Sequence, residues 1–171
     1  MNTAPSFPSA TFALPAPYQL REQQTDSDDG FAAMLYSSTR DDLRQMPGDP
    51  AFVEQLINMQ RHAQSAGYRQ AYPQASYLVL QAADRPIGRL VIHRADAVLR
   101  LVDIAILPEA RRQGAASAVL ACLQALAATE KLRIELAVNR NNLAARSLYQ
   151  RLGFRLQSED ALQEHLAWSA A

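Results

Sequence analysis

The chain has a single cysteine, Cys122, among its 171 residues. That excludes an intramolecular disulfide, a cysteine zinc cluster and a redox dithiol. It carries no net charge, with Lys+Arg and Asp+Glu at 17 each. A balanced chain lacks the overall field that recruits nucleic acid or an anionic membrane, so neither is an expected partner. No apolar run approaches the roughly 20 residues that cross a bilayer. The first residues lack the basic start and apolar core of a secretory leader. A cytoplasmic setting is therefore the expectation. The three histidines, His62, His93 and His165, show no ligand spacing, so no metal is expected. Glycine is scarce, and no segment holds the three closely spaced glycines of a dinucleotide fingerprint.

What is present reads as one globular domain, 49% hydrophobic and 20% charged, long enough to bury its own core. Residues 1–17, "MNTAPSFPSATFALPAP", hold four of the nine prolines. Proline denies both helix and central strand, so the expectation is a disordered Pro/Ala-rich tail ahead of a domain at 18–171. "YQLREQ" is a strand candidate, and "FAAMLYSST" reads as a helix. "RDDLRQMPGDP" reads as a loop because its prolines and glycine break any periodicity. Asp49 and Pro50 form a cap and first-position pair for a helix carrying Phe52, Val53, Leu56 and Ile57, with Gly67 ending the pattern.

The period then changes. "SYLVLQAA" and "PIGRLVIHR" are strand-like around a turn at "DR", and "AVLRLVDIAIL" follows after "RAD". An amphipathic helix from Gln113 to about Thr129 buries Val119 or Leu120, Leu123, and Leu126 or Ala127. "LRIELAV" is a strand, "NLAARSLYQRL" a helix, "GFRLQ" a short strand and "LQEHLAWS" a last edge strand. Short turns pair successive strands antiparallel, whereas the crossover between Gly114 and Val138 demands a parallel pair. The fold class is α/β, with a mixed, mostly antiparallel central sheet and helices on both faces.

Two segments carry the chemistry. In "ILPEARRQGAAS" a strand ends at Leu107 and a helix opens at Gly114, Ala115 and Ala116. A helix start already has unpaired N–H groups and partial positive charge. Arg111 and Arg112 there work against stability unless an anion sits on them, and Gly114 lets one approach the backbone. Solvated arginines beside an ordinary helix-start glycine would account for the same residues. In "AVNRNNLAARSLYQRLGF", helical spacing lines up Asn142, Ala145 and Tyr149 beside an apolar stripe of Ala144, Leu148 and Leu152. A ligand could slide along that stripe. Asn142 could equally be a helix cap and Tyr149 a boundary residue.

Taken together, "L-P-x-x-R-x-x-G-x-A" followed by "V-N-x-x-N-x-x-A-x-x-L-Y-x-x-L-G-F" resembles the GNAT superfamily of acyl-CoA-dependent N-acetyltransferases. The match is close over Leu99 to Phe154, and the element order extends it over Tyr18 to Trp168. The resemblance implies acetyl-CoA as co-substrate and a primary amine, on a small molecule or peptide, as acceptor. A homodimer is also within what it implies. It assigns the coenzyme diphosphate to the loop Arg111, Arg112, Gln113, Gly114, Ala115, Ala116 and Ser117, and the pantetheine arm to the main chain of Ile104, Ala105 and Ile106. Asn142 and Ala145 fall on the pantetheine side, and Tyr149 matches the phenol that reprotonates the departing thiolate.

The chain departs from the family pattern at three positions. Arg112 stands where a second glycine is usual, and Ala116 replaces the last one. Ala137, five before Asn142, holds the place of a frequent carboxylate base and accepts no proton. Asp103 and Glu135 are the nearest substitutes. Asp41, Asp42, Tyr68, Arg69 and Tyr72 are candidates for the acceptor pocket. The missing base keeps a second reading open, a non-catalytic acyl-CoA-binding regulatory module on the same fold. A third is an interaction protein whose helix-start loop binds nothing.

Overall fold

Strand alternation and helix caps divide the chain into β1 (Tyr18–Glu22), α1 (Asp29–Ser38), α2 (Asp41–Arg44), α3 (Pro50–Ala71), β2 (Ser76–Ala82), β3 (Arg85–Ala95), β4 (Val98–Ile106), α4 (Ala115–Glu130), β5 (Arg133–Asn139), α5 (Leu143–Arg151), β6 (Arg155–Glu159) and β7 (Gln163–Trp168). The computed structural model describes Phe7 and residues 11–171. The strands form one seven-stranded sheet in the order β1-β2-β3-β4-β5-β7-β6. Every neighbouring pair is antiparallel except β4 and β5. The mixed sheet is therefore as the connections require. Among the described residues no helix is long and apolar enough to cross a membrane.

The two sheet faces differ in chemistry. Register places Leu20, Leu78, Leu80, Leu90, Ile92, Leu101, Leu136 and Leu166 on one face. There they join Val119, Leu120, Leu123 and Ala127 of α4 in the main core. The opposite face carries Val79, Val91, Arg89 and Asp103, and α3 covers part of it through Gln64. Gly88 lets β3 and β4 approach closely. A Cβ at Gly88 would lie 2.5 Å from the Ala105 carbonyl oxygen.

Several boundaries differ from the sequence reading. The β2–β3 turn falls at Ala83 and Asp84, both at positive φ, one residue before the expected dipeptide. A single helical turn, α2, interrupts the segment expected to be a loop, and Leu43 packs on Val53 and Ile57 of α3. Asp49 does cap α3, its carboxylate accepting from the Ala51 amide at 3.0 Å, with Pro50 at the first position. Gly67, however, does not end the helix, which runs on to Ala71. An interior glycine costs only about 1 kcal/mol, and partly buried Tyr68 continues the packed side. Strand β7 is interior, not an edge, because Leu166 and Ala167 are both buried and need cover on both faces. Strand β6 is the edge, exposed throughout.

Phe7 and Phe12 correct the tail expectation at those positions. Both rings are buried in the main core, their centroids 5.9 Å apart, with the Arg94 guanidinium 5.8 Å from the Phe7 centroid. The proline content concealed two aromatic anchors. Residues 1–6 and 8–10 lie outside the described residues.

Helix α1 is fastened to β1 by charge. Arg21 donates to both carboxylate oxygens of buried Asp28 at 2.7 and 2.8 Å, and the Gln24 amide donates to the same group at 2.7 Å. These bonds, led by the guanidinium, hold the Asp28 carboxyl below the ordinary carboxylate range. A folded value below the unfolded value of about 3.9 gives stability that is full above that pH and lost as pH falls through the lower value. Asp28→Asn should therefore lower the melting temperature at neutral pH, with the gap to the parent closing progressively below about pH 4. Thermal melts across that range check it, and a pH-independent gap would reject the ion pair as its source.

Candidate active site

Strands β4 and β5 pair only from Val98–Arg133 to Leu101–Leu136. Beyond that point they part. The β3–β4 register slips between Val91 and Ile92, which face Asp103 and Leu101 and leave Val102 as an extra residue on β4. Such a bulge bends its strand and increases local twist. The resulting gap is a cavity of about 310 Å³ lined on β4 by Leu101 to Ile104 and Ile106, and on β5 by Leu136 to Asn139. Asn142, Ala145, Leu148 and Tyr149 of the α5 region close it.

The parting leaves main-chain groups without a ladder partner. The Leu107 amide bonds the Ile87 carbonyl at 2.8 Å, so Leu107 faces β3. Residues alternate along a strand, so the N–H and C=O of Ile104 and Ile106 point toward the gap and those of Ala105 toward β3. The Arg111 side chain confirms the direction at Ile106, its Nε donating to that carbonyl at 2.9 Å. The exposed Arg111 side chain is thus tied at its Nε to the strand end.

After a 3-10 turn at Pro108–Ala110 the chain enters α4 through two left-handed residues. Arg112, standing where the family favours glycine, has φ 60, and Gly114 has φ 86. The conformation explains the family's preference, since only glycine takes it without strain. No side chain caps α4. Among the described residues no acceptor is found for the Ala115, Ala116 or Ser117 amides, and the first loop-to-helix bond is from the Ala118 amide to the Gly114 carbonyl at 2.9 Å. A Cβ built on Gly114 meets nothing within 4 Å. The helix start faces open space, in a groove of about 670 Å³ shared with Ala144, Ser147 and Arg151 of α5. Unpartnered amides at an open helix start are the kind of backbone that receives an anion.

Asn142 caps α5, its side-chain oxygen accepting from the Ala145 amide at 3.1 Å. The cap leaves the Asn142 amide nitrogen for the cavity. Tyr149 is 6% exposed, packs edge-on against Phe154 at 5.5 Å and lines the cavity. Burial, reinforced by the negative charge of Asp103, pushes its phenol up to about 12. Asp103 lies across the gap, on the α3 face, where Arg89 donates to its Oδ2 at 2.5 Å and to Gln64 at 3.3 Å. The Arg89 side chain is 10% exposed. Tyr68 is near the pair, and burial raises its phenol above the ordinary tyrosine value.

Sequence reasoning missed Arg89. The arginine inside the apolar run "IGRLVI" was the available signal, because a charge inside an apolar strand needs a partner. The other candidates separate clearly. Glu135 pairs with Arg133 at 3.2 Å and does not line the cavity, whereas Ala137 does. Asp42 is bound by Arg40 and Asp41 by Arg44, at 3.0 and 3.1 Å. Both line a third cavity of about 1130 Å³ on the α1 side, which meets the gap at Asp103, Ile104, Asn139 and Asn142. Tyr72 packs at a tilt against His93, ring centroids 5.3 Å apart, and Arg69 is exposed. Among the described residues no cluster of His, Cys, Asp or Glu has metal-binding geometry.

The architecture is thus an α/β sheet opened between two parallel strands, with a capless helix start beside the opening. The chain belongs to the acetyltransferase (GNAT) family, whose family model matches residues 34–154. Among solved structures it is similar to the PaiA N-acetyltransferase of Thermoplasma acidophilum in complex with coenzyme A. The TM-score is 0.68 at 14% identity, covering 90% of this chain and 99% of that one. It is also similar to RimL, a ribosomal alpha-N-protein acetyltransferase in complex with coenzyme A, at TM-score 0.64 and 15% identity over 92% and 97%. FdhC, a nucleotide-linked sugar GNAT, matches at TM-score 0.62 and 18% identity over 92% and 90%. At these identities the likeness is one of fold.

The buried phenol has a direct consequence. Between about pH 9 and 11, where an ordinary tyrosine near about 10 ionises, Tyr149 should remain protonated. Phenolate absorbance of the parent and of Tyr149→Phe should coincide over that range. An excess in the parent equal to one tyrosine would show that Tyr149 titrates normally.

Proposed function

We propose that the chain is an N-acetyltransferase that moves the acetyl group of acetyl-CoA to a primary amine by direct attack. The observation that carries this reading is the gap between β4 and β5. It joins the amide cradle at α4 to a separate cavity on the α1 side, so a donor and an acceptor can meet from opposite directions. The diphosphate of the donor would rest on the Ala115, Ala116 and Ser117 amides, with Arg112, Gln113 and Gly114 shaping the loop. The pantetheine arm would run between the strand end at Ile104–Ile106 and the Asn142–Ala145 side of α5, pairing with main-chain groups left free there. The Ile104 N–H facing the gap is the donor placed to polarise the acetyl carbonyl.

Attack by the neutral amine forms the C–N bond and develops negative charge on the carbonyl oxygen. Collapse breaks the C–S bond, and sulfur leaves with the electron pair. The nitrogen loses one proton and the thiolate gains one. A phenol held near about 12 is a weaker acid than a thiol near about 8.5, so full transfer from Tyr149 is uphill by about 5 kcal/mol. Tyr149 therefore serves first as a hydrogen-bond donor to the departing sulfur, and as transfer completes its proton is restored through water by the one that the amine gave up to Asp103. Asp103, across the same gap, is the group placed to take the amine proton through water, with Arg89 fixing its orientation. The neighbours' names span ribosomal protein and sugar acceptors, so the acceptor here is set by this chain's own cavity.

The experiment is thiol release from acetyl-CoA with a panel of amines, read against acetyl-CoA alone. Tyr149→Phe should lower turnover by on the order of 100-fold with donor affinity little changed. Thiol release at the parental rate would remove the acid role. Gly114→Val places a branched side chain in the left-handed region and in the space the diphosphate would occupy, and should weaken coenzyme A binding by on the order of 100-fold. Unchanged affinity by calorimetry would remove the cradle assignment. A parent that binds coenzyme A yet releases no thiol with any amine would leave the acyl-CoA-binding module.

A further inference from the structure

Gln113 and Gly114 share one peptide group, and its orientation decides whether the Gly114 N–H faces the groove. A planar trans peptide points its C=O and N–H in opposite directions. Gly114 adopts either sign of φ at little cost, so nothing within the loop itself prevents this peptide from flipping. The restraint comes from ninety-five residues away in sequence. The Tyr18 hydroxyl donates to the Gln113 carbonyl at 2.7 Å. Tyr18 opens β1, sits opposite Ala82, packs against the main core and has its own amide bonded to Pro15 at 3.0 Å. It does not line the groove that Gly114 lines. The carbonyl is drawn toward β1, which leaves the Gly114 N–H directed the other way.

We infer that Tyr18 is a positioning residue for the donor's diphosphate, selecting the flip state of the Gln113–Gly114 peptide that adds the Gly114 N–H to the amide cradle. This rests on the reading of that groove as the coenzyme A site. The Gln113 side chain secures the loop differently, by donating to the Glu109 carbonyl at 3.1 Å. That bond fixes the side chain and leaves the Gln113–Gly114 plane free. Tyr18 alone engages the plane itself among the described residues.

The test is Tyr18→Phe, which keeps the ring against the core and removes only the hydroxyl. Coenzyme A affinity by calorimetry should fall about 3- to 10-fold, the scale of one hydrogen bond. With acetyl-CoA the loss should appear in KM, with kcat kept within about twofold. With S-acetylpantetheine, which has no diphosphate, kcat/KM should be unchanged. In the parent, the Gly114 amide proton should move downfield on adding coenzyme A, and in Tyr18→Phe the shift should shrink. Equal coenzyme A affinity in the two proteins overturns the inference. So does an equal loss with both donors, which would make Tyr18 a general support for the fold. A Gly114 resonance that does not respond in a parent that binds coenzyme A overturns it without any variant. A parent that does not bind coenzyme A fails at the underlying groove assignment instead.

Discussion

Backbone groups inside a sheet must be paired, and β4 and β5 stop pairing at Leu101 and Leu136. The rest of the molecule is organised around that interruption. An unpaired N–H or C=O buried from water costs as much as a lost hydrogen bond, so a split between strands persists only where something supplies partners. Arg111 supplies one, at the Ile106 carbonyl. The polar groups of Ile104 have no such protein partner from β5, and a ligand lying in the gap would meet them as a third strand meets an edge. The extra residue at Val102 and the close β3–β4 approach at Gly88 make the split a fixed feature rather than a fraying end.

The same interruption joins chemistry that the sheet would otherwise separate. Tyr149 belongs to the apolar face, packed with Phe154 and the α4 core. Asp103 belongs to the opposite face, bound to Arg89 and through it to Gln64. In an unbroken sheet the backbone would stand between a phenol and a carboxylate so placed. Here both line one cavity, and the carboxylate's charge is felt at the phenol, adding to the burial that keeps it protonated. Under the proposed acetyl transfer, a phenol and a charge-paired carboxylate on opposite walls of one gap suit a step in which one proton leaves an amine while another reaches a sulfur.

The order of elements was legible because each strand and helix carries its own period, and the parallel pair because only a crossover connects Ile106 to Arg133. The backbone of the loop before α4 was partly legible too, since a glycine at a helix start is a local signal. Gly114 at φ 86 and Arg112 at φ 60 are backbone facts that the residue types partly declare. Groups brought together by register across several strands were not. Arg89 meets Asp103 because Val91 faces Asp103 across a bulged ladder, and no spacing in the sequence encodes the bulge. The place of β7 depended on which partner covers Leu166 and Ala167, a matter of the whole sheet. Phe7 and Phe12 were hidden by a rule about proline that says nothing of where nearby aromatics pack.

The cavity proposed to receive the acceptor shows how charge balance can serve such a reaction. Its wall holds Arg40, Arg89 and Arg111 against Asp41, Asp42 and Asp103. Asp42, Asp41 and Asp103 are each bound by an arginine, two of them lining the same wall. An acidic pocket would concentrate cationic amines, but it would also favour their protonated form. Each unit by which it raised the amine's pKa would cost 1.36 kcal/mol in forming the neutral nucleophile. A wall of neutralised pairs gives up electrostatic capture and avoids that penalty. Discrimination among acceptors then falls to shape and to hydrogen bonds from groups such as Asn139 and Asn142, where a mismatch leaves a polar group unpaired rather than merely a charge less well placed.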